Sequence, residues 1–320
     1  MTITDLKVLP VSQPVSKPHD RVGTYINAAT AANTRKAYRS DIQHFEQWGG
    51  HLPTTTSELA RYLEHYATSL SIRTLQRRLT AIKYWHIYQS LPDPTDNPLL
   101  SKLLSGIART HGKPKQKAPA INLTAIYTLH DYLAPQLHTA AKRDLALILI
   151  GFFGALRRSE LVNIHVEHLR FEQAGLEIFI PTSKTDQEHQ GQYCVIPAGN
   201  KRLCAIRCLQ HWLQHADIND GPVFRRLQAE GQLVDSALSA SRVNIILKQR
   251  SIEAGIQGGE HFSAHSLRRG LATAAARAGA SLPAIMRQGR WKQVSTVMEY
   301  IEAAERFTDN AVSSLINNGS

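Results

Sequence analysis

The stretch Arg109-Thr110-His111-Gly112-Lys113-Pro114-Lys115-Gln116-Lys117-Ala118-Pro119 holds four basic residues, two prolines, a glycine and no acid. Each proline lacks a backbone donor and pushes the preceding residue out of helical conformation, and glycine adds backbone entropy. The composition predicts a linker rather than a continuous element. It divides the chain in two, and at 320 residues each part is long enough to bury a core of its own.

Ahead of the linker, apolar residues recur at helical spacing. Asn33 is placed to cap a helix that runs towards Trp48 and ends at Gly49-Gly50. Thr55 and Glu58 have capping-box spacing and open a second helix reaching about Thr68. Ser71 caps a third, in which Ile72, Leu75, Leu79 and Ile82 share one face while Arg73, Arg77 and Lys83 fall elsewhere. Pro92, Pro94 and Pro98 then precede a short fourth helix that reaches about Ala108. The expectation is a small bundle with one basic side.

Beyond the linker, helices are predicted over 124–133 and 140–153. The apolar period then shortens to two over 164–169, 176–180 and 193–196, which reads as three short strands. Helices are predicted again over 201–215, 239–254, 266–278, 282–288, 294–300 and 304–315. The expected fold is mainly α: an N-terminal four-helix-type bundle, then a mostly helical domain with a small three-stranded antiparallel sheet. The expected organisation is a disordered lead-in (1–20), the bundle (21–110), the basic linker (111–119), the larger domain (120–302) and a last helical segment (303–320).

The formal charge is +11 and the pI about 9.7, which points to a polyanion as partner, nucleic acid before a membrane surface. The excess is concentrated: residues 21–120 carry 14 Lys/Arg against 6 Asp/Glu, and residues 121–320 carry 21 against 18. The first part is therefore the stronger electrostatic clamp. The three cysteines, Cys194, Cys204 and Cys208, are too few and too clustered for a disulfide framework and fit a reducing compartment. No apolar run is long enough to span a membrane, and the start has no signal-peptide architecture. A cytoplasmic, nucleoid-associated protein is expected.

The remaining signals are chemical. Gly154-Ala155-Leu156-Arg157-Arg158-Ser159-Glu160-Leu161 and His265-Ser266-Leu267-Arg268-Arg269-Gly270 each supply an arginine, and Trp291 and Tyr300 follow. A phosphodiester repels a nucleophile until its charge is neutralised, which a guanidinium does through a planar fork that stays charged at any working pH. Tyr300 could attack phosphorus once cations stabilise its phenolate. His265 could take up or return a proton near neutrality, and it shares a helical face with Arg268. Trp291 offers an indole N–H to a phosphate oxygen. Lys184, in the turn between the second and third strands, could protonate a departing oxygen. Glu160 either orients the pocket by hydrogen bonding or is a helix-surface carboxylate. Arg158 and Arg269 compete with their neighbours for the same roles. His165 and His168 lack a metal-binding pattern, and neither a metal nor a cofactor is expected. For contacts with DNA the candidates are Arg73, Arg77 and Lys83 in the bundle, Lys113, Lys115 and Lys117 in the linker, and Arg242 on a later helix.

In order and spacing these boxes resemble the tyrosine recombinase, or phage integrase, superfamily, over about residues 24–315. Arg157 and Glu160 match its first arginine box, Lys184 its hairpin lysine (with Lys201, just past the third strand, as the fallback), His265 and Arg268 its second box, and Gly289-Arg290-Trp291 through Tyr300 its third box and nucleophile. Tryptophan where many members carry histidine makes the chain similar to the Cre-like subgroup. The resemblance implies a site-specific DNA recombinase in which Tyr300 forms a 3′-phosphotyrosyl link, Arg157 and Arg268 hold the non-bridging oxygens with His265 and Trp291 assisting, and Lys184 acts as general acid, without metal or ATP. It further implies a core-binding bundle and a catalytic domain that clamp the duplex, dimers on one site and tetramers across two, and a last helix docked on a neighbour through Phe307, Ala311 and Leu315. Two alternatives stay open: relaxation of DNA in the manner of a type IB topoisomerase, and DNA binding without catalysis.

Overall fold

The computed structural model describes residues 30–114, 118–181, 191–199, 202–228, 231–305 and 312. The expectations for the lead-in, Lys115, Lys117, Lys184, Lys201 and the stripe Phe307, Ala311 and Leu315 lie outside the described residues. The chain forms two compact units, Met1–Gln116 and Lys117–Ser320.

The first unit contains helices α1 (Ala32–Gln47), α2 (Thr56–His65), α3 (Ile72–Tyr88) and α4 (Pro98–His111). Ser71 caps α3 by accepting from the Thr74 amide at 3.2 Å, and Thr55 accepts from the Glu58 amide at 3.3 Å. Glu58 completes no box with Thr55; its carboxylate takes the Thr54 hydroxyl instead, at 2.7 Å. Asn33 is not a cap, because α1 already starts at Ala32 and Ala31 precedes it without a side-chain bond. Helix α4 runs through Arg109, Thr110 and His111 and stops at Gly112, where the backbone turns extended ahead of Pro114. Ile42 and Phe45, Leu59 and Leu63, Leu75 and Ile82, and Leu100 and Ile107 bring the four apolar faces together in one core. Within it lies a polar network: the buried Arg78 donates through Nη1 to the Tyr62 hydroxyl at 2.9 Å and to His44 Nδ1 at 2.8 Å. Burial, followed by the Arg78 charge, lowers the His44 pKa, which favours the neutral imidazole that accepts this bond.

The second unit is built on α6 (Thr139–Phe153), which is buried along nearly its whole length: Leu145–Phe153 is apolar all round, and ahead of it the buried Arg143 and Asp144 pair at 2.7 Å. Around it lie α5 (Leu123–Leu133), the short α7 (Arg158–Val162), α8 (Ala205–His215), α9 (Ala240–Glu253) and α10 (Ala264–Arg277). Strands β1 (Leu169–Glu172), β2 (Gly175–Ile180) and β3 (Gln192–Pro197) form an antiparallel sheet in that order. Leu176, Ile178 and Ile180 alternate inwards against Cys194 and Ile196. The strand expected over 164–169 is displaced. The segment Val166–His168 is a 3₁₀ turn, closed by the His165 amide on His168 Nδ1 at 3.1 Å, and β1 begins only at Leu169, opposite Ile178. A second antiparallel pair, β4 (Arg225–Leu227) and β5 (Leu233–Ala237), was not expected from the sequence. Helix α11 (Leu282–Gly289) is followed by α12 (Val294–Glu305), which continues where a break after Tyr300 was expected. Ala272, Ala276, Ile285, Val297 and Tyr300 form a satellite core joining α10, α11 and α12. The fold is mainly helical with one small three-stranded antiparallel sheet. No helix among the described residues is long and apolar enough to cross a membrane.

Candidate active site

Two helices end alike and face each other. After α6, Ala155 adopts φ 45°, and the Ala155 and Leu156 amides bond back to the Phe152 and Gly151 carbonyls at 3.0 and 3.2 Å. After α11, Arg290 adopts φ 55°, and the Arg290 and Trp291 amides bond back to Arg287 and Met286 at 3.1 and 3.0 Å. Both are Schellman closures, in which the left-handed residue is usually glycine. Alanine and arginine in that conformation cost about 1–2 kcal/mol each. The ends carry leftover carbonyls and the negative poles of their helices.

Cations occupy this carbonyl-rich cleft. Arg268, buried on α10, donates one Nη to the Ala155 carbonyl and the other to that of Gly289, tying the two ends together. Arg290 donates to the carbonyls of Gly154 at 3.2 Å and Gln288 at 3.1 Å. Burial, then the neighbouring Arg157 charge, push the Arg268 guanidinium down to about 9, which leaves it a cation at neutral pH.

Glu160 is the counter-charge. Its side chain is 1% exposed. It accepts from the Arg157 amide at 2.9 Å, from Arg157 Nη1, and from Arg290 Nη2 at 3.0 Å. Burial alone would raise its pKa; the Arg290 charge, the Arg157 amide and the Arg157 charge outweigh burial and hold it below the ordinary value. The alternative of a helix-surface carboxylate is therefore excluded. Arg157 stands immediately ahead of α7, half-buried, with Glu160 fixing both its amide and its guanidinium, while Arg158 points outward.

The aromatic side of the cleft is continuous with this charge cluster. The Arg268 guanidinium carbon lies 4.3 Å from the Trp291 ring centroid, a cation–π contact. The Trp291 ring meets that of Tyr300 edge-on at 5.9 Å. Tyr300 is buried on α12, and its hydroxyl lies 3.5 Å from Nε2 of His265, the exposed residue in the otherwise buried first turn of α10. Arg269 donates to the Ala118 carbonyl and lies 5.2 Å over the Tyr300 ring. One pocket of the second unit thus gathers Arg157, Glu160, His265, Arg268, Trp291 and Tyr300.

The close packing of Trp291 depends on Gly289, where an added Cβ would lie 1.8 Å from the indole Cζ3. Gly289→Ala is expected to displace the indole from Arg268 and to destabilise the unit by about 1–3 kcal/mol, measurable as a lowered melting temperature.

Arg290 is the residue that the sequence reading passed over as a component of the site. Its signal was a long cation at a helix stop, where glycine is the ordinary choice. Of the DNA-contact candidates, Arg73, Arg77, Lys83 and Lys113 belong to the first unit and Arg242 to α9 of the second. Arg73, Lys113 and Arg242 are exposed, Arg77 is bridged to Asp41, and Lys83 pairs with Asp93 at 3.0 Å. Among the described residues, no three His, Cys, Asp or Glu side chains converge as a metal ion would require.

Comparison with known proteins places this pocket in a family. Residues 122–306 match the model of the phage integrase family, and residues 25–89 match the phage integrase N-terminal SAM-like domain. An integrase/recombinase xerD homolog of Selenomonas ruminantium is 36% identical over 302 residues, covering 91% of this chain and 88% of that protein. The recombinase cre of Escherichia phage P1 is 26% identical over 278 residues, covering 80% of this chain and 77% of that protein. The solved structure of the Tn1549 transposon integrase in complex with transposon right end DNA superposes with a TM-score of 0.62 at 15% identity, covering 94% of this chain and 98% of that one, which speaks for the fold. A family model that covers more than half of the chain, together with a relative aligned along nine-tenths of it, establishes that this protein belongs to the phage integrase family of tyrosine recombinases, an enzyme class acting on DNA.

Proposed function

We propose that this protein is a site-specific DNA recombinase that exchanges strands between two target sites through a covalent 3′-phosphotyrosyl intermediate. The observation that carries this reading is the contact chain Arg268–Trp291–Tyr300–His265 in one pocket. It puts a phenol beside a buried cation and an imidazole. In this scheme Arg157 and Arg268 hold the non-bridging oxygens of one phosphate and neutralise the charge that grows on them. His265 and Trp291 assist. The Tyr300 hydroxyl passes its proton to His265 as its oxygen bonds to phosphorus, the bond to the 5′ oxygen breaks, and that oxygen leaves with a proton, for which Lys184 is the donor. A 5′ hydroxyl of the second duplex then attacks the phosphotyrosyl phosphorus and frees Tyr300. Glu160 touches no reacting atom; it is a positioning residue for Arg157.

In the same scheme residues 21–110 form the core-binding domain, 111–119 a basic linker that follows the DNA backbone, and 120–302 the catalytic domain. Residues 303–320 are the segment that docks on a neighbour. The working assembly is a dimer on each site and a tetramer in the synapse. The positive charge concentrated in residues 21–120 and the family membership support double-stranded DNA as the partner.

Two labelled target duplexes incubated with the protein test the reading. Recombinant joints are expected, together with a protein–DNA adduct that survives denaturation, and both should persist in EDTA. Relaxation of supercoils without joints would identify a topoisomerase instead. Complete loss of cleavage in EDTA would identify a metal nuclease.

A further inference from the structure

Helix α3 carries no acidic residue from Ile72 to Tyr88, and its solvent side presents Arg73, Gln76 and Arg77. One of these side chains is held in a fixed direction. Arg77 donates through Nε and Nη2 to the two carboxylate oxygens of Asp41, both at 2.7 Å. Asp41 is buried, with its side chain 2% exposed, whereas that of Arg77 is 50% exposed. Behind Asp41 stands the buried Arg78, whose Nε lies 3.6 Å from the same carboxylate and which is itself anchored on Tyr62 and His44. Two guanidiniums thus share one carboxylate, so the group leaves a net positive charge and Arg77 is not neutralised.

The geometry leaves one edge of Arg77 unused. Of its five N–H donors, Asp41 takes one on Nε and one on Nη2. The adjacent pair along the Nη1–Nη2 edge has no partner among the described residues. Two neighbouring donors of this kind match two neighbouring acceptors. In the major groove only guanine supplies them, as O6 and N7; adenine pairs an acceptor with a donor, thymine an acceptor with a methyl, and cytosine shows a donor. A phosphate also accepts such a fork, but it gains little from a fixed direction, and the unbridged Arg73 on the same helix suits that role. A braced side chain loses less rotamer freedom on binding and holds its aim, as discrimination between bases demands.

We propose that Arg77 is a specificity-determining residue that reads a guanine of the target duplex, with Asp41 as its positioning residue. This rests on the recombinase reading above, since it needs a duplex in the target site. The test is selection of bound sequences from a pool of random duplexes by the full chain and by Arg77→Gln, Arg77→Lys and Asp41→Asn. The selected duplex is then compared with its single G·C to A·T replacement at each position. The parent is expected to favour guanine at one position by roughly ten- to a hundredfold. Arg77→Gln should lose that preference or move it to adenine, with the other positions unchanged. Arg77→Lys keeps the charge but not the fork and should lose the preference too. Asp41→Asn should weaken it; should that variant fail to fold, the half-exposed Arg77 variants still decide. An unchanged guanine in the Arg77→Gln selection would overturn the proposal. So would equal weakening on every sequence with a shallower salt dependence, the mark of a phosphate contact. A parent that forms the covalent adduct and selects a motif indifferent to Arg77 sinks this inference alone, whereas a parent that neither selects a motif nor forms the adduct sinks the recombinase reading with it.

Discussion

Tyr300→Phe is expected to bind target DNA like the parent and to form no covalent adduct at all. The change removes one oxygen and keeps the ring that packs edge-on against Trp291 and under Arg269. Because the side chain belongs to the satellite core, the variant should fold, and its melting temperature should stay within a few degrees of the parent's. Strand cleavage, in contrast, loses the nucleophile of the proposed scheme. A nicked suicide duplex, which lets the freed 5′ end diffuse away, accumulates the adduct in the parent and shows it on a denaturing gel. Adduct formation by the phenylalanine variant would mean that another group attacks phosphorus.

The second large effect is expected at Glu160. Glu160→Ala leaves the buried Arg290 facing Arg157 and Arg268 without a carboxylate. Breaking a buried pair from one side costs about 3–5 kcal/mol, which lowers the melting temperature by on the order of 10 °C for a unit of this size. Cleavage should fall further than stability explains, because Arg157 loses the acceptor that fixes both its amide and its guanidinium. Glu160→Gln keeps the shape and removes the charge, so it separates the two effects. The pH dependence has a defined sign. The folded pKa of Glu160 lies below its ordinary value of 4.5, so its contribution is complete above that value and is lost as the pH falls through the lowered one. The alanine variant should therefore show a shallower loss of stability on acidification than the parent. Equal acid slopes in urea titrations of the two proteins would remove Glu160 from this role.

Much of the fold was legible because it is local. The apolar face Leu75, Leu79 and Ile82 and the Ser71 cap lie within one helix, and the alternation of 176–180 lies within one strand. The displaced first strand was not legible. Residues 164–169 alternate like a strand, but His168 closes a turn on the His165 amide, and only the register of β1 against β2 fixes where pairing begins. The short β4–β5 pair gave too few residues for a period to emerge. In the pocket, the boxes holding Arg157, His265 and Arg268 were readable as strings. Arg290 was not, since its importance comes from Glu160, 130 positions away in sequence. Arg268 and Arg269 are likewise told apart only by tertiary contacts, Arg268 turning into the cleft between the helix ends and Arg269 lying over the Tyr300 ring and donating to the Ala118 carbonyl.

The meeting of two helix C-termini at Arg268 has a consequence for how such an enzyme can be disarmed. Like poles brought together repel, and this guanidinium is the counter-ion that lets α6 and α11 close on each other. The ion that the proposed scheme assigns to the DNA phosphate is also a keystone of the scaffold. Stripping its charge cannot yield an inert but intact decoy, whereas deleting the tyrosyl oxygen can.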